Sequence, residues 1–161
     1  MNILDKIVIR KKEEIADAKA LVSITDLENS PHFKRKPYSF KDFLLAEDRT
    51  GIIAEFKRRS PSKGLINGVA DVAEVTQAYN AAGASALSVL TDVDFFGGKT
   101  DDILAARAAN NIPILRKDFM IDEYQILEAK AWGADIILLI ASILTPQQIN
   151  DFGKFAHNLG L

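Results

Sequence analysis

Three charged residues stand at the ends of apolar stretches, where they could carry out chemistry. Glu55 and Lys57 close the stretch 52–57, and Lys117 closes the stretch 112–117. Side chains two positions apart on a β-strand share a face, so Glu55 and Lys57 should project from the same side. Charges on a covered strand face cost free energy unless they are paired or functional. A carboxylate with two ammonium groups can bind anions and transfer protons.

A simpler interpretation applies to the same residues. Glu55 and Lys57 could form a surface ion pair on an edge strand, and Lys117 could be a solvated charge at a strand end. Such surface pairs are common and contribute only about 0–1 kcal/mol each. The choice between the two interpretations depends on the elements that position these residues.

Composition excludes several classes of function. The chain has 161 residues, 48% of them hydrophobic and 26% charged, with a net charge of −2, which is typical of a globular protein without a nucleic-acid-binding surface. It has no cysteine and two histidines, so we expect neither disulfides nor a metal site. No stretch approaches the roughly 20 apolar residues that span a bilayer. No secretory signal opens the chain, so we expect a cytoplasmic protein without membrane contacts.

Residues 1–50 are predicted to form a helical extension. Residues 3–20 have the periodicity of an amphipathic helix, with a solvated segment at 10–14. The segment 22–36 is predicted to be irregular, and Ser39 is a candidate N-cap for a short helix over 40–46.

Residues 51–161 show a regular alternation of strands and helices. Strands are predicted at 52–57, 86–91, 112–117 and 135–141, and each is followed by one helix. Two of these helices are predicted over 71–82 and 122–132, and the other two begin at the N-caps Thr100 and Thr145. The strand starts lie about 34, 26 and 24 residues apart, which is typical of a parallel sheet. Apart from Glu55 and Lys57, the first and fourth of these strands are apolar on both faces, so we expect both of their faces to be covered.

Either an open doubly wound sheet or a TIM (β/α)8 barrel would suit this α/β pattern. No Gly-x-Gly-x-x-Gly follows the first strand, which disfavours the open sheet. Lys57 and Lys117 end alternate strands, and alternate strands of a barrel contribute to the same interior layer. The barrel therefore places Glu55, Lys57 and Lys117 at one mouth.

Four strand–helix units amount to half a barrel, since a full one takes about 250 residues. We expect the unpaired edge strands and an exposed apolar inner face, formed by Ile53, Leu90, Leu115 and Leu138, to cause self-association.

Four segments resemble a known family. They are IIAEFKRRSPSKG at 52–64, SVLTDVDFFGG at 88–98, PILRKDFMID at 113–122 and GADIILLIA at 133–141. The chain resembles indole-3-glycerol phosphate synthase, an enzyme of tryptophan biosynthesis, over essentially its whole length. The resemblance implies a lyase that closes a ring, releases carbon dioxide and removes water from carboxyphenylamino-deoxyribulose phosphate. It implies no metal or organic cofactor.

The resemblance also implies roles for individual residues. Lys117 matches the general acid that protonates the substrate carbonyl, and Lys57 matches the residue that holds the substrate's carboxylate and phosphate. Glu55 matches a partner that orients the lysines and takes part in proton transfer. The remaining substrate-binding positions are a loop serine and an apolar wall, namely Ser60, Phe96, Phe119 and Leu138.

The chain departs from the family in one respect. The family's glutamate of strand five, its further residues of strands six and seven, and its phosphate-binding loops of strands seven and eight have no counterpart here. We therefore expect the N-terminal part of such an enzyme, inactive by itself. Two alternatives are a non-catalytic, self-associating half-barrel, or another phosphate-binding barrel enzyme such as phosphoribosylanthranilate isomerase. The isomerase explains neither the Glu55, Lys57 and Lys117 pattern nor the helical extension.

Overall fold

The computed structural model describes residues 2–161. Its strands are β1 (Ile53–Phe56), β2 (Arg59–Ser60), β3 (Gly64–Leu65), β4 (Ala86–Leu90), β5 (Ile114–Lys117) and β6 (Ile136–Ile137). Four of them form a parallel sheet in the order β1-β4-β5-β6, and β2 pairs with β3 as a small antiparallel hairpin. The predicted parallel sheet is confirmed.

The helices lie before and between these strands. They are α1 (Ile3–Leu21), α2 (Ile24–Glu28), α3 (Phe40–Leu45), α4 (Val72–Ala81), α5 (Thr100–Ala109), α6 (Glu123–Ala131) and α7 (Pro146–Asn158). Three helices precede β1, and one helix follows each strand of the parallel sheet. The chain thus contains four successive strand–helix units, as the spacing predicts.

Capping side chains set most of the helix starts. The side chains of Ser39, Asp71 and Asp122 accept hydrogen bonds from backbone N–H groups in the first turns of α3, α4 and α6. Thr145 and Gln148 form a reciprocal capping box at α7, with Pro146 at the first helical position. The predicted cap at Thr100 is wrong, because Thr100 is already helical and the N-cap is Lys99, which makes no side-chain capping bond.

Two short elements lie in segments predicted to be irregular. Helix α2 lies within 22–36, and its N-cap is Ser23, which forms a capping box with Asp26. The hairpin of β2 and β3 lies in the loop after β1. Both elements are too short to produce a periodic hydrophobic pattern, so periodicity could not detect them.

The two edge strands, β1 and β6, differ from the expectation that both of their faces are covered. Strand β6 has two residues rather than the seven of the predicted segment 135–141, and β5 is its only partner in the described sheet. On β1, Ile53 is 43% exposed, and the preceding Ile52 is 58% exposed. The prediction that both faces are covered is therefore wrong for β1.

The main core lies between the sheet and the helices that follow its strands. It is built from Phe56, Val72, Leu87, Val89, Ile103, Ala106, Ile112, Ile114, Ala129 and Ala134. On β1 this places Phe56 in the core and leaves Glu55 and Lys57 on the opposite face. Burying an apolar side chain of this size contributes about 1.5–3 kcal/mol, so this packing fixes which face of the sheet is free for a site.

Helix α1 packs against the rest of the chain through Ile7, Lys11 and Ile15, which are all buried. Ile15 joins a second core cluster with Leu27 and Tyr124. The prediction of a solvated segment at 10–14 is wrong at Lys11, which is 3% exposed. Among residues 2–161, no helix combines the length and the apolar character that crossing a bilayer requires.

Candidate active site

The carboxyl ends of the parallel strands bring the three predicted charged residues together. In the register of the sheet, Glu55 of β1 lies opposite Ser88 of β4, and Leu90 of β4 lies opposite Lys117 of β5. Side chains on the same face of parallel strands are neighbours, so Glu55, Ser88 and Lys117 meet at one edge of the sheet.

The carboxylate of Glu55 lies between the two lysines. Its Oε1 accepts a hydrogen bond from Nζ of Lys57 at 2.9 Å, and its Oε2 lies 3.5 Å from Nζ of Lys117. The hydroxyl of Ser88 donates to Oε2 at 3.3 Å. The side chains of Glu55, Lys57 and Lys117 are about one-third exposed, so the group is accessible from outside. Each carboxylate oxygen thus contacts a different ammonium group.

The ionisation of Glu55 reflects these contacts. Partial burial would raise the pKa of its carboxyl group, but the hydrogen bond from Lys57 and the charge of Lys117 outweigh that effect. The pKa of Glu55 therefore lies below its ordinary value, and the group is a carboxylate at neutral pH.

An apolar cavity of about 450 Å³ adjoins this charged group. Its wall contains Lys57, Ser60, Phe96 and Phe119, together with Ile3, Leu4 and Ile7 of α1, Ile66, and the loop residues Pro61, Ser62 and Lys63. The rings of Phe96 and Phe119 have centroids 6.0 Å apart at an interplanar angle of 41°. The wall of the cavity thus contains both cationic and aromatic side chains.

Four of the five predicted substrate-binding residues line this cavity, and Leu138 does not. Ser60 is 7% exposed, and its hydroxyl accepts a hydrogen bond from the backbone N–H of Lys63 at 3.2 Å. Leu138 is half-buried just beyond β6 and is absent from the residues that line the cavity.

A tight loop after β4 places Phe96 against the cavity. The side chain of Asp92 accepts hydrogen bonds from the backbone N–H groups of Phe95 and Phe96 at 2.9 and 3.1 Å. Gly98 approaches β4 so closely that an added Cβ would lie 2.3 Å from the carbonyl oxygen of Leu90. Only glycine fits there without a backbone shift.

Sequence reasoning missed several residues that support the site. Ser88 contacts Glu55, and the guanidinium of Arg58 pairs with Asp102 at the start of α5. Lys11 of α1 lies between the carboxylates of Asp92 and Asp118. Asp92 and Asp118 each follow a strand of the sheet by one or two residues, and that position could have identified them. Within residues 2–161, no group of three or more metal-ligating side chains is placed to hold a metal ion.

Comparison with known proteins agrees with the geometry. The sequence profile described as indole-3-glycerol phosphate synthase matches residues 4–161. The chain belongs to this family. Curated indole-3-glycerol phosphate synthases resemble it at 48% identity over 160 residues in Bacteroides thetaiotaomicron and at 44% over 163 residues in Neisseria meningitidis. A third, from Bordetella pertussis, is 42% identical over 163 residues.

The indole-3-glycerol phosphate synthase family has the TIM-barrel fold, and the four strand–helix units of this chain form a partial barrel of that kind. Each alignment covers 99% of this chain but only 61–63% of the relative. The chain therefore spans about three-fifths of the length of the curated relatives that it matches.

Proposed function

We propose that this chain provides the Glu55, Lys57 and Lys117 side of an indole-3-glycerol phosphate synthase active site. The observation that carries the proposal is the carboxylate of Glu55, which contacts Lys57 and Lys117 through separate oxygens beside an aromatic cavity. Membership of the family supplies the reaction: a lyase step in tryptophan biosynthesis that acts on carboxyphenylamino-deoxyribulose phosphate.

The first chemical step joins a carbon of the aromatic ring to the carbonyl carbon of the sugar chain. The electron pair of the C=O bond moves to oxygen, and a proton must reach that oxygen as charge develops. Lys117 is the proposed general acid, since its ammonium group lies at the end of β5, 3.5 Å from the carboxylate of Glu55. General acid catalysis of this kind typically contributes about 10²–10⁴-fold to the rate.

The later steps restore the aromatic ring. The carboxyl group leaves as carbon dioxide and its bonding electrons return to the ring, after which the hydroxyl group leaves as water with a proton from the adjacent carbon. Glu55 is the proposed partner for these proton transfers, because it is ionised and touches both lysines. No step in this scheme requires a metal ion.

Substrate binding follows from the cationic and aromatic side chains that line the cavity. Lys57 is the proposed contact for the carboxylate and phosphate, and Ser60 lies beside it on the same wall. Phe96 and Phe119 are the proposed wall for the anthranilate ring, which a stacked or tilted aromatic pair accommodates. A role for Leu138 rests on the family resemblance alone.

A chimera tests this proposal. Residues 1–161 are joined to the part of the Bacteroides thetaiotaomicron relative that lies beyond the region matched by this chain. The proposal expects indole-3-glycerol phosphate to form, detected by indole fluorescence, and expects the Lys117→Ala chimera to lose most of that activity. A folded chimera that binds the substrate but forms no product would overturn the assignment.

Residues 1–161 alone serve as the control for the chimera. The chain spans only about three-fifths of the length of the relatives, and a catalytic constellation that is incomplete loses rate steeply. We therefore propose that this polypeptide has no measurable synthase activity by itself. Product formation in proportion to the amount of polypeptide added would contradict this.

The open edges of the sheet support a further proposal, that the 161-residue polypeptide self-associates. In the described structure β1 and β6 each pair with one strand only, and Ile53 is partly exposed. The exposure predicted for Leu90 and Leu115 is wrong, since they are 4% and 8% exposed on the two central strands. The surface available for association is therefore the strand edges rather than the whole inner face.

A further inference from the structure

Helix α1 inserts a lysine between the ends of two strands. Lys11 is 3% exposed, and its Nζ lies 3.0 Å from Oδ2 of Asp92 and 3.0 Å from Oδ1 of Asp118. It also donates a hydrogen bond to Glu14 at 2.6 Å. Asp92 is 0% and Asp118 is 4% exposed, so this is a buried ionic cluster rather than a surface pair.

The two aspartates each organise a loop that carries an aromatic residue of the cavity. Oδ1 of Asp92 accepts hydrogen bonds from the backbone N–H groups of Phe95 and Phe96. Oδ1 of Asp118 accepts a hydrogen bond from the backbone N–H of Phe119 at 2.8 Å. The cluster is therefore linked to both of the aromatic rings that line the cavity.

The remaining contacts of the aspartates show what Lys11 adds. Oδ2 of Asp118 has other partners, the hydroxyl of Thr91 at 2.7 Å and the guanidinium of Arg116 at 3.2 Å. Oδ2 of Asp92 is buried and accepts no hydrogen bond from any described residue, so the ammonium of Lys11 is its charge partner. Without Lys11, Asp92 would be a buried carboxylate without a counter-charge.

The pKa values of Lys11 and Asp118 show that the charged form of each is favoured in the cluster. Burial disfavours the charged form of Lys11, but the carboxylates of Asp118 and Asp92 outweigh it, so the pKa of Lys11 is raised. For Asp118, burial is likewise outweighed by Arg116 and Lys11, and the pKa of its carboxyl group is lowered. Lys11 and Asp118 are therefore both charged at neutral pH.

We propose that Lys11 is a positioning residue that fixes Phe96 and Phe119 relative to one another, through Asp92 and Asp118. Helix α1 also contributes Ile3, Leu4 and Ile7 to the same cavity. The ammonium group of Lys11 therefore connects this helix to the two aromatic residues of the cavity wall. The importance of this for catalysis rests on the proposed function, whereas the positioning itself does not.

Amide hydrogen exchange of residues 1–161, followed by NMR, tests the proposal without any substrate. In Lys11→Met the protection of the Phe96 and Phe119 amides should fall at least about ten-fold, because their acceptors lose the charge that holds them. The amide of Leu87, which donates to Pro113 in the centre of the sheet, should keep its protection. Lys12→Met is the matched control, since Lys12 is exposed next to Lys11, and it should change none of these amides.

Chemical modification of a cysteine at position 11 distinguishes the effect of the side chain's charge from the effect of its shape. The chain has no cysteine, so Lys11→Cys can be alkylated at one site in denaturant and refolded. Aminoethylation restores an ammonium group and should return the protection of Phe96 and Phe119 to within about two-fold of the unsubstituted protein. Propylation gives a neutral side chain of similar length and should behave like Lys11→Met.

Two results would overturn the proposal. One is an equal loss of protection at Leu87 and at the two phenylalanines in Lys11→Met, which indicates a general loss of stability. The other is unchanged protection at Phe96 and Phe119. If Lys11→Met does not fold, the double variant Lys11→Met with Asp92→Asn removes the unpaired buried charge. The protection of the Phe96 and Phe119 amides is then compared with that of Leu87 in the double variant, with the same two outcomes. A failure here leaves the proposed function untouched, because no substrate is involved.

Discussion

Nζ of Lys117 lies 3.5 Å from Oε2 of Glu55, although their strands, β5 and β1, do not pair with each other. Strand β4 lies between them and contributes Ser88, a small residue whose hydroxyl donates to the same oxygen. A larger side chain at that position would separate the two charges. The sheet therefore brings together residues of alternate strands, as expected for one interior layer of a barrel.

The first prediction concerns Lys117. In the chimera, Lys117→Ala should lower kcat by about 10²–10⁴-fold, because it removes the proposed general acid, while KM changes much less. Steady-state kinetics with indole fluorescence measures both constants. Lys12→Ala, on the exposed face of α1, is the matched control. Turnover within about two-fold of the parent chimera would remove Lys117 from the proposed chemistry.

Lys57→Ala should have a different kinetic signature. Lys57 lines the cavity itself and is the proposed contact for the anionic ends of the substrate. Loss of such contacts, which are made in both the ground state and the transition state, raises KM more than it lowers kcat. A variant with a normal KM and a strongly reduced kcat would instead assign the proton transfer to Lys57.

The third prediction concerns pH and stability. The pKa of Glu55 is lowered in the folded chain from its ordinary value of 4.5, so its contacts stabilise the fold above that pH. This contribution should disappear as the pH falls through the lowered pKa. In urea unfolding, the free-energy difference between the unsubstituted chain and Glu55→Gln should therefore be largest near neutral pH and should shrink below 4.5. A difference that grows in acid would mean that the carboxylate is not stabilised by the lysines.

Periodicity and capping residues predicted much of the fold. The alternation of apolar segments with helical ones predicted the four strand–helix units, and the predicted caps at Ser39 and Thr145 are confirmed because each satisfies backbone groups locally. Strand β6 is shorter than its apolar sequence suggests. An apolar segment indicates burial, but the length of a strand depends on its partners, which a local pattern does not contain.

The charged residues of the site could be predicted from the sequence, but the residues that hold its loops in place could not. Glu55, Lys57 and Lys117 are conspicuous because charged residues rarely end apolar strands. Lys11 appeared to belong to a charged, solvated run, yet it lies four residues from both Ile7 and Ile15 and so on the same helix face. That spacing was visible in the sequence, whereas its partners Asp92 and Asp118 are brought to it only by the tertiary fold.

The fourth prediction compares two glycines. Gly98→Ala should lower the melting temperature and loosen the Phe96 loop, because the new Cβ would lie 2.3 Å from the carbonyl oxygen of Leu90. Gly153 lies inside α7 with nothing within 4 Å of an added Cβ, so Gly153→Ala should stabilise the helix by about 0.5–1 kcal/mol. Thermal unfolding followed by circular dichroism measures both. Equal effects of the same sign would show that the loop relaxes without cost.

The last prediction concerns assembly of the 161-residue polypeptide. Strand β1 pairs with β4 on one side only; its first residue, Ile53, is 43% exposed, and the preceding Ile52 is 58% exposed. An exposed apolar edge of this kind is a template for pairing with another chain. Sedimentation at micromolar concentration should therefore show a dimer or larger species rather than a 17.7 kDa monomer.

A charge on that edge should reverse the association. Ile53→Lys places an ammonium group on the exposed end of β1, and lysines on edge strands oppose edge-to-edge pairing. Because Ile53 lies outside the main core, the variant should keep its helix content while its sedimenting mass falls toward that of the monomer. A monomeric unsubstituted polypeptide with native-like helix content would rule out the assembly. A dimer that Ile53→Lys leaves intact would place the contact elsewhere, at β6 or on the exposed part of α1.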